Sequence, residues 1–71
     1  MEKMYQIVDK YGKYRSRAKI CGEEVDFVSN KHKEALVYTL DEAKALVKYY
    51  VEEKNIPVMI EKRFVVSKKF L

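Results

Sequence analysis

The sequence predicts an α+β domain in which an antiparallel sheet of three to four strands carries one amphipathic helix, in the order β-β-β-α-β. Three observations support this fold: polar and apolar residues alternate early in the chain, an apolar stripe with helical spacing follows Thr39, and a strand-like run follows Pro57. A single amphipathic helix cannot bury its stripe alone, so it must lie on the sheet. No linker or repeat interrupts the 71 residues, which predicts one domain over residues 1–71.

The first two strands are expected to form a hairpin. Residues 4–8 are rich in strand-forming side chains, and residues 13–21 alternate in character with a period of two. Between them, Asp9-Lys10-Tyr11-Gly12 has Asp at its first position and Gly at its last, which is typical of a β-turn.

The next segment contains a turn, a short strand and a polar stretch. Gly22 with Glu23 and Glu24 predicts the turn, and residues 25–28 predict the third strand. Residues 29–34 fit either a loop or a single helical turn, and they lead into the apolar residues 35–38.

The helix is predicted over residues 40–54. Thr39 and Glu42 have the spacing of a capping box, in which each side chain bonds to the other residue's backbone amide. Asn55 and Pro57 are expected to end the helix, and residues 58–66 then predict the last strand. The apolar positions with helical spacing form one buried stripe: Ala43, Leu46, Val47, Tyr50 and Val51.

Cysteine and histidine counts limit the chemistry. Cys21 and His32 are the only residues of their types, so no internal disulfide can form and a closed zinc site is not expected. As a thiolate pair they would lack a third, orienting group, and no metal, cofactor or enzymatic activity is predicted. The chain shows no signal peptide and no apolar stretch of about 20 residues, and a single thiol suits a reducing compartment, so we expect a cytoplasmic protein without membrane contact.

Four segments of the sequence form a recognisable combination. They are Tyr5, Ile7 and Val8 of the first strand, Lys-Tyr-Gly-Lys-Tyr at residues 10–14, Glu-Ala-Leu at residues 34–36, and Thr-Leu-Asp-Glu-Ala-Lys at residues 39–44. Together they resemble small uncharacterised proteins encoded by phages and prophages. The likeness covers roughly residues 4–51, and no catalytic or binding residues follow from it. It implies this fold and a phage or mobile-element setting, with the host cytoplasm as the location. Many small phage proteins inhibit or redirect a host macromolecule, as anti-CRISPR proteins do, so the resemblance also implies an inhibitor.

A row of cations marks the second strand. Alternate side chains of a strand share one face at a spacing of about 6.8 Å, so four cations would follow a phosphate backbone. Tyr11 and Tyr14 would be stacking surfaces, and Lys62, Arg63, Lys68 and Lys69 would extend the patch. The plainer interpretation is a solvent face whose charges discourage edge pairing. The row consists of Lys13, Arg15, Arg17 and Lys19.

Two functions are therefore carried forward. The first is a binding protein that uses this basic face, expected on the side of the sheet that the helix leaves uncovered, to engage nucleic acid or an acidic, nucleic-acid-handling protein. The second is a homodimeric structural or adaptor module without nucleic-acid contact, suggested by the short chain and by the apolar runs at residues 58–60 and 64–66.

Overall fold

A computed structural model describes residues 2–63 of the chain, and these residues have the predicted α+β architecture. The sheet has four antiparallel strands in the order β3-β2-β1-β4. The predicted end of the last strand, residues 64–66, lies outside the described residues. The elements are β1 (Tyr5–Asp9), β2 (Tyr14–Ile20), β3 (Glu23–Ser29), a short 3-10 turn η1 (His32–Glu34), the helix α1 (Leu40–Glu52) and β4 (Val58–Lys62).

Helix α1 begins and ends where its capping signals lie. The Thr39 hydroxyl accepts from the Glu42 amide at 3.2 Å, and the Glu42 carboxylate accepts from the Thr39 amide at 2.9 Å, which confirms the capping box. At the other end Asn55 has a left-handed backbone, with φ of 59°, and this lets the Ile56 amide reach the Tyr50 carbonyl at 2.9 Å. The helix ends at Glu52, two residues earlier than predicted.

The core lies between α1 and the two strands beneath it, β1 and β4. Its buried members are Ile7 of β1, Ala43 and Tyr50 of α1, and Tyr38 from the segment that precedes the helix. Val58 and Ile60 of β4 pack against this cluster from the same face of the sheet. Burying a side chain such as Ile7 contributes about 1.5–3 kcal/mol.

The sheet opens into a fork between β1 and β2. Only Ile7↔Arg15 and Val8↔Tyr14 pair across these two strands. In the gap, Tyr38 takes the place of a strand partner and bonds to the backbone of Tyr5 in both directions. The buried hydroxyl of Ser16 accepts from the Leu36 amide at 2.9 Å, so residues 36–38 fill the gap.

The chain therefore crosses the sheet on its way to the helix. The side chain of Gln6 points away from the helix, since it alternates with that of Ile7, and its amide donates to the carbonyls of His32 and Ala35. Turn η1 accordingly lies on the face opposite α1. This crossing places η1 beside Tyr14, which matters for the site described below.

The connection between β2 and β3 differs from the prediction. It is a two-residue turn made by Cys21 and Gly22, with φ of 52° and 82°, the backbone of a type I′ hairpin. Glu23 and Glu24 belong to β3 and pair with Ile20 and Lys19, so the turn predicted over residues 22–24 is wrong. The backbone twist of a primed turn matches the right-handed twist of the strands it joins, so β3 begins directly after Gly22.

Candidate nucleic-acid interface

The cationic row of β2 does not form a free outward face. Arg15 lies opposite Ile7 in the register, and residues paired in this way point to the same side of the sheet. That side is the one covered by α1, because Ile7 packs against the helix. The prediction that the row faces away from the helix is therefore wrong.

Arg15 is held by a buried carboxylate. Its Nε lies 3.1 Å from Oδ2 of Asp9, while Oδ1 of Asp9 accepts from the amides of Tyr11 and Lys13 at 2.9 and 3.0 Å. Burial by itself raises the pKa of Asp9, but the two amides and the Arg15 guanidinium outweigh it, so the pKa lies below its ordinary value. Arg15 thus stabilises the turn and is not free for a ligand.

Arg17 is also engaged within the protein. Its guanidinium lies 4.1 Å from the centre of the Tyr49 ring, donates to the Tyr49 hydroxyl, and pairs with Asp26 at 3.1 Å and Glu24 at 3.4 Å. Across the strands, Arg17 faces Asp26 and Lys19 faces Glu24. An acidic row on β3 therefore offsets the cationic row on β2.

Tyr14 and Arg63, two other predicted site residues, meet on the opposite face. The Tyr14 hydroxyl donates to Glu61 at 2.8 Å and accepts from Arg63 at 3.1 Å. Arg63 also bonds to Glu61 and donates to the Gln6 side chain at 3.0 Å. Lys62, which belongs with Arg63 to the predicted extension, is exposed and lies on the helix face, opposite Tyr5 in the register. Lys68 and Lys69 lie outside the described residues.

The structure gathers a different set of lysines. Tyr14 pairs with Ser29, so the turn before β2 and the segment after β3 lie at the same end of the sheet. Each of these segments carries two exposed lysines, none of which forms an ion pair within residues 2–63. We call this end of the sheet the lysine-rich surface. It carries Lys10 and Lys13 on the β1–β2 turn, where Lys13 continues the row on the helix side, and Lys31 and Lys33 beside Tyr14 on the opposite side.

An open groove of about 490 Å³ lies beside two of these lysines, Lys31 and Lys33. The rings of Tyr14 and His32 meet edge to face there, with centres 6.2 Å apart and planes at 70°. The groove is lined by Gly12, Tyr14, Asn30, Lys31, His32 and Lys33. Cations beside aromatic rings suit a ligand that carries both phosphates and bases.

Tyr11 adds an exposed ring at the edge of this surface. It is 74 % exposed, and the Lys10 ammonium lies 5.2 Å from the ring centre. Its backbone is fixed by the Asp9 side chain. The ring is therefore presented to solvent on a defined turn.

Sequence reasoning identified Lys13 and Tyr14 but missed Lys31, His32 and Lys33. A usable signal was present in the order of elements: in an antiparallel hairpin, the residues before the first strand and those after the second lie together. Applied to β2 and β3, this places residues 10–13 beside residues 30–33.

The part of the chain that the structure describes gives little support for metal binding, thiol chemistry or a membrane-spanning helix. Within residues 2–63, no group of three His, Cys, Asp or Glu side chains could hold a metal ion. Cys21 and His32 lie at opposite ends of the β2–β3 hairpin, so they do not form a thiolate pair. None of the helices in this part of the chain has the length and apolar character needed to cross a membrane.

No protein-family model, curated protein or solved structure matches this chain. Its function is therefore inferred from its own residues and their geometry.

Proposed function

We propose that this protein is a non-enzymatic binding protein that engages nucleic acid through the lysine-rich surface. The observation that supports it most is that four exposed lysines, free of ion pairs within residues 2–63, lie at one end of the sheet, where Lys31 and Lys33 line the Tyr14–His32 groove. Each lysine can neutralise one phosphate and release its counterions. Arg15 and Arg17 support the fold, and they are not assigned to the ligand.

The local charge favours a polyanion over other partners. Two nearby carboxylates are neutralised by arginines, Asp9 by Arg15 and Glu61 by Arg63, whereas Glu34 accepts from the neutral Ser29 hydroxyl and keeps its charge. Four lysines against this one carboxylate leave a local excess of positive charge, and a flexible ammonium suits a phosphate as a point charge.

We place this function in the cytoplasm and, following the resemblance to phage and prophage proteins, in an inhibitor that acts on a host nucleic acid or on a protein that handles one. An acidic, nucleic-acid-handling protein would contact the same lysines. Binding to purified nucleic acid separates the two partners.

The test compares two variants of equal net charge. One replaces the four lysines of the lysine-rich surface with Gln, and the control replaces Lys19, Lys44, Lys48 and Lys62, which are exposed and without ion pairs among residues 2–63. Each variant lowers the formal net charge of +4 to zero. Fluorescence anisotropy with a labelled oligonucleotide measures the affinity of both variants and of the unaltered protein.

We expect the first variant to lose at least tenfold in affinity and the control to lose much less. For four phosphate contacts, affinity for a single strand should fall about 50-fold between 50 and 200 mM salt. Equal losses in both variants, or affinity insensitive to salt, would contradict the proposal.

Self-association remains the alternative. The apolar runs that suggested a dimer support it less in the structure, because Val58 and Ile60 pack against the helix. Met59 is 63 % exposed, and residues 64–66 lie outside the described part. Light scattering at high micromolar concentration distinguishes a monomer from a dimer.

A further inference from the structure

Resting on the proposed function, we infer that the lysine-rich surface binds single-stranded nucleic acid and holds an unpaired base in the groove against Tyr14 and His32. Four features support this inference: a fixed aromatic platform, a second ring that forms an adjoining wall, cations on both sides of that ring, and a groove sized for one nucleotide.

Tyr14 is a fixed platform. Its hydroxyl bonds to both Glu61 and Arg63, and the Arg63 guanidinium lies 5.7 Å from the ring centre. Gln6, which is 2 % exposed, accepts from Arg63 and donates to the carbonyls of His32 and Ala35. The same network therefore fixes Tyr14 and the turn that carries His32, so little side-chain freedom is lost when a ligand binds.

His32 and its neighbours supply the other contacts. The edge-to-face arrangement with Tyr14 places the two rings as adjoining walls of the groove. Lys31 and Lys33 flank His32 in the chain, so phosphates on either side of a bound base have a cation within reach. The side-chain amide of Asn30 can donate hydrogen bonds to the edge of a base and accept them from it.

The groove selects for unpaired bases. Its volume of about 490 Å³ lies within the range of roughly 300–1,000 Å³ that is usual for sites that bind small ligands. A base inside a duplex is stacked on both sides, so it cannot present its face to a protein ring unless it leaves the stack. In a single strand every base has a free face, and stacking tolerates any sequence.

Tyr11 provides a second stacking position. Its exposed ring lies on the β1–β2 turn, where the Lys10 ammonium is 5.2 Å from the ring centre. A strand that places one base in the groove and its phosphates along the lysines would meet this ring at a neighbouring nucleotide. The occupant is therefore a short single-stranded segment.

The experiment measures binding of one labelled mixed-sequence 12-nucleotide DNA, as a single strand and as the duplex of the same sequence, at 50 mM salt. The single strand should bind at least tenfold more tightly. Replacing Tyr11 with Trp gives the chain its only tryptophan, and its fluorescence should be quenched by the single strand and not by the duplex. His32→Ala should reduce single-strand affinity about 5- to 150-fold, the range for loss of one stacked base.

Matched variants separate stacking from folding and from charge. Tyr14→Phe retains the ring and should bind more tightly than Tyr14→Leu, with thermal unfolding used to confirm that both variants are folded. Equal affinity for single strand and duplex, no quenching of the tryptophan, or heparin bound as tightly as the single strand would overturn this inference. If the duplex binds as well as the single strand and the four-lysine variant is impaired, the proposed function stands without it. If neither nucleic acid binds, both fail.

Discussion

The Tyr38 hydroxyl bonds to both backbone groups of Arg17, accepting from its amide at 2.9 Å and donating to its carbonyl at 3.1 Å. Arg17 lies in β2 where this strand departs from β1, so these two groups have no strand partner on that side. One buried phenol therefore replaces a missing segment of sheet and closes the fork between β1 and β2.

This relationship predicts opposite outcomes for the same chemical change at two buried tyrosines. Tyr38→Phe leaves the backbone groups of Arg17 without partners and should lower the free energy of unfolding by about 1–3 kcal/mol. The Tyr50 hydroxyl is buried and finds no partner within residues 2–63, and burial raises its pKa to about 12. Tyr50→Phe should therefore leave stability unchanged or raise it, by up to about 1 kcal/mol.

Urea unfolding of both variants, followed by circular dichroism, measures the two effects. Equal destabilisation by the two substitutions would show that the Tyr38 bonds do not stabilise the fork.

A second prediction concerns the dependence of stability on pH. The pKa of Asp9 lies below its ordinary value of 3.8 in the folded protein, so the unfolded chain takes up the proton first as the pH falls. Asp9 therefore contributes stability above about pH 4, and this contribution is lost as the pH falls through the folded-state pKa. Asp9→Asn should lower the free energy of unfolding at pH 7 by about 1–3 kcal/mol, with the difference from the unaltered protein narrowing below about pH 4.

Urea unfolding between pH 7 and pH 2 gives this difference directly. Arg15→Gln removes the partner guanidinium and should show the same narrowing. A difference that stays constant down to pH 2 would mean that the charge of Asp9 does not matter.

The third prediction concerns the β2–β3 turn. Cys21 has a φ of 52°, a left-handed conformation that costs most residues about 1–2 kcal/mol and that Asn adopts more readily. Cys21→Asn should therefore stabilise the protein by about 0.5–1 kcal/mol, which raises the midpoint of thermal unfolding by several degrees.

Cys21→Ser is the matched control, because it removes the thiol without favouring the left-handed region. Thermal unfolding under reducing conditions should show little change for Ser and a gain for Asn. Equal gains would assign the effect to loss of the thiol.

Local elements were predictable because their signals lie within a few residues. The capping box of Thr39 and Glu42, the Asp9–Gly12 turn and the helical stop at Asn55 are each specified by neighbouring side chains, and all three are observed. The element order followed from the same signals, since one amphipathic helix must cover a sheet.

The site was less predictable, because alternation along a strand has no absolute direction. The pattern of β2 shows that Arg15 and Arg17 share a face, but not which face α1 covers. In the structure α1 covers β1 and β4, and Arg17 reaches past the edge of this layer to stack on Tyr49. The small side chains of Ser16 and Ala18 point to the opposite side, where Ser16 bonds to the segment that fills the fork.

The sequence by itself thus determined the fold class, the helix with its caps and the first hairpin, because those depend on local backbone preferences and on hydrophobic periodicity. Only the tertiary structure decided which cations are free. Pairing with Asp9, Glu24 and Asp26 engages Arg15 and Arg17, and the crossing of residues 32–38 through the fork places His32 beside Tyr14, between Lys31 and Lys33. Those contacts join residues distant in sequence, so no local pattern records them.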